Sequence, residues 1–129
     1  GTETWWPIAA ASGATSPVTV TTGSTAPSWS SISVNSTYSG SVAKGAEKRY
    51  SFPRRSGRTY SVALTPSSGD ADLYLSKYST LTRSSYQCAS TRSGSTQDSC
   101  TFVATDTGTN YVLVYGYAAG SYTLRVNEQ

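Results

Sequence analysis

The 129-residue chain has no histidine and no methionine, and only 13% of it is charged. The missing histidine removes the commonest general base, the commonest zinc ligand and every Ser–His or Cys–His couple. Leu, Glu and Lys are scarce, and no helical period of useful length runs through the sequence, which excludes a helical protein. Long apolar runs are missing as well, so no segment approaches the length needed to span a bilayer. The chain starts without an initiator Met, a basic n-region or an apolar h-region, as expected of a fragment or of a protein whose leader has been removed.

What is present points one way. Ser and Thr fill 43 positions, and ten Tyr and three Trp carry the apolar area. That composition suits one all-β domain with many turns, in an extracellular setting. The two cysteines, Cys88 and Cys100, are expected to form a disulfide, since no other metal ligands accompany them; two free core thiols are the alternative.

The chain divides in two. Residues 1–35 hold a single charged side chain, Glu3, and form an N-terminal arm rich in Ser, Thr, Gly and Pro. Within it, Val18 and Val20 alternate with Thr, and Ile32 and Val34 repeat that pattern after Trp29, so two strands are expected there. A Ser/Thr/Pro linker is the competing reading. Residues 36–129 show strand after strand: Tyr50 with Phe52, then Tyr60, Val62 and Leu64, then Leu73 with Leu75, then Phe102–Val103, then Tyr111 to Tyr117, and finally Tyr122, Leu124 and Val126. Gly-containing turns at Gly57, Gly69, Gly94, Gly108 and Gly120 separate them. This spacing predicts an antiparallel β-sandwich of jelly-roll or Ig-like type with an extended N-terminal arm.

The run Ser68-Gly69-Asp70-Ala71-Asp72-Leu73-Tyr74-Leu75 resembles the SGDADLY pattern of the bacterial pre-peptidase C-terminal domain. The aromatic strand before it and the Cys100-Thr101-Phe102, Tyr111 to Tyr117 and Ser121-Tyr122-Thr123-Leu124 segments after it follow in the same order. The resemblance covers about residues 36–127. It implies a secreted, non-catalytic bacterial β-sandwich, usually appended to extracellular peptidases and other hydrolases and related to the collagen-binding domains of clostridial collagenases. The uncharged arm and the missing catalytic partner depart from that pattern.

Four groups of residues are candidates for chemistry. Asp70 and Asp72 are the one close acid pair and could ligate Ca²⁺, although two carboxylates do not complete its shell and an Asx-type turn is the plainer reading. No cofactor is required by anything in the sequence. Lys44, Lys48, Arg49, Arg54, Arg55 and Arg58 cluster against Glu47 alone, as a solvated hairpin whose charges prevent edge pairing would. A net charge of +3 is too small for a dedicated nucleic-acid binder. On the 111–117 strand, Tyr111, Leu113, Tyr115 and Tyr117 share one face and Val112, Val114 and Gly116 the other. Tyr78 and Tyr86 extend the tyrosine set, which suits stacking on sugars or on collagen prolines; the resemblance implies the same use. Asn35-Ser36-Thr37 is a formal glycosylation sequon, a weak three-residue pattern.

Two functions from different classes follow. One is a structural subunit that self-associates through its arm, with Val18 and Val20 in a donated strand and Trp5 and Trp6 as anchors in another copy, building a fibre or surface assembly. The alternative is a binding module for collagen or polysaccharide belonging to a secreted hydrolase. The first is favoured only if the chain is the whole mature protein.

Overall fold

Alternation along the strands sets the architecture. In the segment 59–66, Tyr60, Val62, Leu64 and Pro66 are buried and the residues between them are not. In the segment 120–128, Tyr122, Leu124 and Val126 repeat the pattern. A period of two with one apolar face is the mark of a sheet packed on one side.

The computed structural model describes residues 28–129. They form β1 (Ser30–Ser31), β2 (Thr37–Val42), β3 (Glu47–Arg54), β4 (Thr59–Pro66), β5 (Asp70–Ser76), β6 (Cys88–Ser90), β7 (Asp98–Val103), β8 (Gly108–Ala118) and β9 (Gly120–Glu128). One sheet has the order β1-β3-β8-β5-β6 and the other β2-β9-β4-β7. Every pairing is antiparallel except that of β1 with β3. The two sheets face each other across one apolar core, in which Phe52, Leu73, Val112 and Val114 meet Val62, Leu64, Leu124 and Val126. The fold is therefore an all-β sandwich.

Two strands had no clear apolar signal in the sequence. β2 turns Gly40 toward its register partner Tyr122, whose ring occupies the space a side chain at position 40 would need. β6 is three residues long and is fixed by what lies beside it: Cys88 is disulfide-bonded to Cys100 on β7. This bond joins the edge strands of the two sheets on one side of the sandwich.

The expected arm strand around Val18 and Val20, with Trp5 and Trp6, lies outside the described residues. The last part of the uncharged segment is integrated in the sandwich. Ser30 and Ser31 pair with Tyr50 and Ser51, the Ile32 amide donates to the Ser51 carbonyl at 2.8 Å, and Ile32 is buried in the core. The strand lies at Ser30–Ser31, just before the Ile32–Val34 alternation that predicts one, and Val34 and Asn35 form a turn in which Asn35 has φ of 61°.

Candidate functional site

The outer face of the five-stranded sheet gathers most of the aromatic residues that the core does not use. Register places Glu47, Tyr115 and Asp72 in one row across β3, β8 and β5. The next row is Arg49, Leu113, Tyr74 and Ala89, and the third is Ser51, Tyr111 and Ser76. The face expected for Tyr111, Leu113 and Tyr115 is the observed one: Val112 and Val114 enter the main core, and Leu113 packs with Tyr74, Leu81, Tyr111 and Tyr115 on the outside, whereas at Tyr117 the register between β8 and β5 shifts, so that Gly116 faces Ala71 and Ala118 faces Asp70.

The middle of that face is covered by the chain itself. Residues 77–87, between β5 and β6, bring Leu81 onto Leu113, which is fully buried. The same connection sets the Arg83 guanidinium 3.8 Å above the Tyr115 ring, with its Nε 3.5 Å from Glu47. Tyr86 meets Tyr74 edge-on at 5.3 Å, and Trp29 meets Tyr111 edge-on at 4.9 Å. Arg49 pairs with Glu47 and lies 5.8 Å from the Trp29 ring. The outer face is thus a closed centre ringed by open aromatics. Tyr86 is 50% exposed and Tyr117, at the far end of β8, is 65% exposed.

The other sequence candidates are dispersed. Tyr78 is 55% exposed and lies two residues past the end of β5, where the Lys77 ammonium sits over its ring at 5.7 Å. The basic residues do not form one patch. Arg54 points inward and is buried, donating to both Asp106 oxygens, the Thr109 carbonyl and Asn110. Those contacts hold the Asp106 carboxyl below its usual range. Arg55 bonds Glu128, and its amide donates to the Tyr60 hydroxyl, which in turn donates to Glu128. Arg55 first and Tyr60 second depress the Glu128 carboxyl to about 2. Asn35 is exposed, and its side-chain oxygen accepts from the Glu128 amide at 2.9 Å.

A cleft of about 440 Å³ opens beside the disulfide, lined by Leu75, Phe102 and Ala104 with Arg54, Lys77 and Asp106 at its polar end. Its size is in the range of small-molecule sites. Sequence reasoning missed this cleft, and it missed Trp29, Tyr74 and Arg83 on the outer face. The segment 77–87 has no apolar periodicity, so nothing in it announces that Leu81 and Arg83 fold back over β8.

Asp70 and Asp72 occupy alternate positions on β5, with Ala71 between them facing the core. Asp72 is raised to about 7, first by burial and then by the nearby charges of Asp70 and Asp98. Asp98, at the start of β7, is likewise raised by burial, and its Oδ1 accepts from Ser90 Oγ and the Arg92 amide, each at 2.8 Å.

The arrangement is that of a β-sandwich module with an aromatic outer face. Among the described residues, no three His, Cys, Asp or Glu side chains stand as a set arranged around a metal. Residues 46–116 match the family described as the bacterial pre-peptidase C-terminal domain, and the chain belongs to that family. It is 52% identical over 52 residues to xanthomonalisin of Xanthomonas sp. (strain T-22), covering 40% of this chain and 6% of that protein. It is 36% identical over 85 residues to a virulence metalloprotease of Vibrio anguillarum, covering 65% of this chain and 14% of that protein. The chain therefore spans a small part of the length of both relatives. Among solved structures, it resembles the pre-peptidase C-terminal domain of a Bacillus anthracis collagenase, with a TM-score of 0.63, 22% identity, and 78% and 95% of the two chains covered. It also resembles PliG of Aeromonas hydrophila, a periplasmic inhibitor of g-type lysozyme, with a TM-score of 0.55, 14% identity, and 78% and 96% covered. At these identities both structures share the fold with this chain.

Proposed function

We propose that this domain is a non-catalytic module of a secreted bacterial protease and holds the enzyme on an extended extracellular substrate, collagen-like protein or polysaccharide. The observation that carries this reading is the outer face, where the half-exposed Tyr86 ring borders a centre packed by Leu81, Leu113 and the Arg83–Tyr115 stack, with the exposed Tyr117 ring at the end of β8. Rings with a polar tip on a preformed support lose little entropy on stacking against sugar faces or prolines. The two protease relatives support the extracellular setting, and the fold shared with a collagenase domain makes collagen the first substrate to try. The absence of histidine from the sequence is in keeping with a module that does no acid–base chemistry of the usual kind.

The self-assembling reading has less behind it. It rests on Trp5, Trp6, Val18 and Val20, which lie outside the described residues, and no similarity found for the chain supports a fibre.

The test is retention on insoluble collagen, chitin and cellulose. One of these matrices should retain the domain, and Tyr86→Ala with Tyr117→Ala should weaken that retention at least tenfold without changing the far-UV spectrum. Failure on all three, or retention that is unchanged in the double variant, would remove the outer face as the binding site.

A further inference from the structure

Three carboxylates crowd the corner where β5 approaches β7. Asp98 is completely buried, Asp72 nearly so, and Asp70 is half-buried. Asp70 Oδ1, Asp72 Oδ1 and Asp98 Oδ2 are buried with no donor in contact. An unpaired buried carboxylate is among the costliest groups to keep, and it is relieved by a cation, a donor or a proton. No three acidic side chains among the described residues are arranged to hold a metal ion. No side-chain cation stands in for one at Asp72. On β5 its neighbours are Asp70 and Tyr74. β8 and β3 bring Tyr115 and Glu47, which share its row. Residues 77–87 bring Tyr86 against Tyr74, and Arg83, whose guanidinium stands over the Tyr115 ring and reaches toward Glu47. β7 brings Asp98, a further like charge, to which Arg92 donates only its backbone amide.

Asp70 and Asp72 are alternate residues of one strand and lie within hydrogen-bonding reach of each other. Ionised carboxylates only accept, so a bond between the two exists only when one of them carries a proton. We propose that Asp70 and Asp72 share one proton that acts as a latch: while it is held the corner is satisfied, and when solvent takes it a second negative charge is left buried beside Asp70 and Asp98 and the fold loosens there. The direction follows from linkage. Burial first, and then the charge of Asp70, hold Asp72 at about 7 in the folded chain against an ordinary value of 3.8. The folded state keeps a proton that the unfolded chain has already lost. The stability contributed by the pair is therefore fully present below 3.8 and is lost as pH rises through about 7. Asp98, raised by its burial, acts in the same direction. Glu128 and Asp106 are lowered, so they act in the opposite direction and only at the acid end. The sequence has no histidine, so no unperturbed side chain titrates between pH 5 and 8 to mask the effect. The domain is thus held most firmly in mildly acidic surroundings.

The test is urea unfolding of the full chain at pH 5 and pH 8, with the side-chain carboxyl ¹³C shifts of Asp70 and Asp72 followed by NMR across the same range and below it. The folding constant should be at least about tenfold higher at pH 5 than at pH 8, and the Asp72 carboxyl should titrate near neutrality. Asp72→Asn cannot ionise, so it should lose most of that difference and be at least as stable as the parent at pH 8. Asp70→Asn removes the like charge and the acceptor, and should move the Asp72 midpoint to lower pH. Equal stability of the parent at the two pH values overturns the proposal. A difference that survives intact in Asp72→Asn overturns it too, because the titrating group then lies elsewhere. Should that variant fail to fold, the carboxyl titration of the parent decides alone: an Asp72 midpoint near the ordinary carboxylate range, or one unmoved by Asp70→Asn, rules out the shared proton.

Discussion

Arg54 shows how much a single side chain can depend on the fold around it. It sits at the inner end of β3, where an apolar residue would be expected, and every arm of its guanidinium is engaged by Asp106, Thr109 or Asn110. Arg54→Ala leaves Asn110 without this donor inside the sandwich and removes the counter-charge of Asp106. Unfolding in urea should show a loss of about 2 kcal/mol, moderated because Asp106 is half exposed. Glu128 gives a pH prediction. Its carboxyl is depressed in the folded state to about 2 from an ordinary value of 4.5. The unfolded chain therefore takes up the proton first, so the stability contributed by Glu128 is fully present above about pH 4.5 and is lost as pH falls toward 2. Glu128→Gln should flatten that acid limb in a melting-temperature profile, and an unchanged profile would show that the contact with Arg55 and Tyr60 contributes nothing. Neither residue could be read for this role from the sequence. Arg54 reads in the sequence as one of a solvated basic cluster and Glu128 carries no signal at all, because their partners lie 52 and 73 residues away along the chain.

At the scale of elements, the strands with clean alternation were legible and those held by a single contact were not. β4 and β9 are visible because Tyr60, Val62 and Leu64, and Tyr122, Leu124 and Val126, recur at every second position, and β8 because Tyr111 to Tyr115 is an unbroken apolar run. β2 and β6 escape that test, one because a glycine makes room for Tyr122, the other because its position follows from a covalent bond. Removing that bond is informative. Cys88 and Cys100 are separated by 12 positions, and loop-closure entropy for such a loop is worth roughly 3 kcal/mol. Reduction, or Cys88→Ser with Cys100→Ser, should lower stability by about that amount and expose the β6 amides to rapid hydrogen exchange before those of β8. The turn before β5 is a second check. Gly69 has φ of 69° and packs against the Ala119 carbonyl, so Gly69→Ala meets both backbone strain and a clash. A loss of at least about 1 kcal/mol in urea unfolding is expected.

For the molecule as a whole, the sandwich was legible from strand count, turn spacing and the SGDADLY-like run, while the outer face was legible only in part. Period-two reasoning placed Tyr111, Leu113 and Tyr115 on one side of β8, but it had no means of showing that residues 77–87 return to cover them. The matched family segment ends at residue 116, before β9 begins. Yet β9 lies between β2 and β4 and supplies Tyr122, Leu124 and Val126 to the core. A chain truncated after Ala118 should therefore fail to fold, giving a far-UV spectrum without β structure. A folded truncated domain would mean that β2 and β4 can close the second sheet without it.

The pairing of β2 with β9 also decides how the domain answers a pull. Thr37 is opposite Arg125, so the start of β2 and the end of β9 leave the sheet from the same corner, where the Asn35 side chain holds the Glu128 amide. Tension applied between Asn35 and Gln129 would open this ladder like a zipper, one hydrogen-bonded pair at a time, whereas a pull from residue 28 first loads the pairing of β1 with β3 and the buried Ile32. The ladder is therefore weakest when its two strands are drawn apart at that corner, and the β1 pairing stands between it and a pull on the preceding chain.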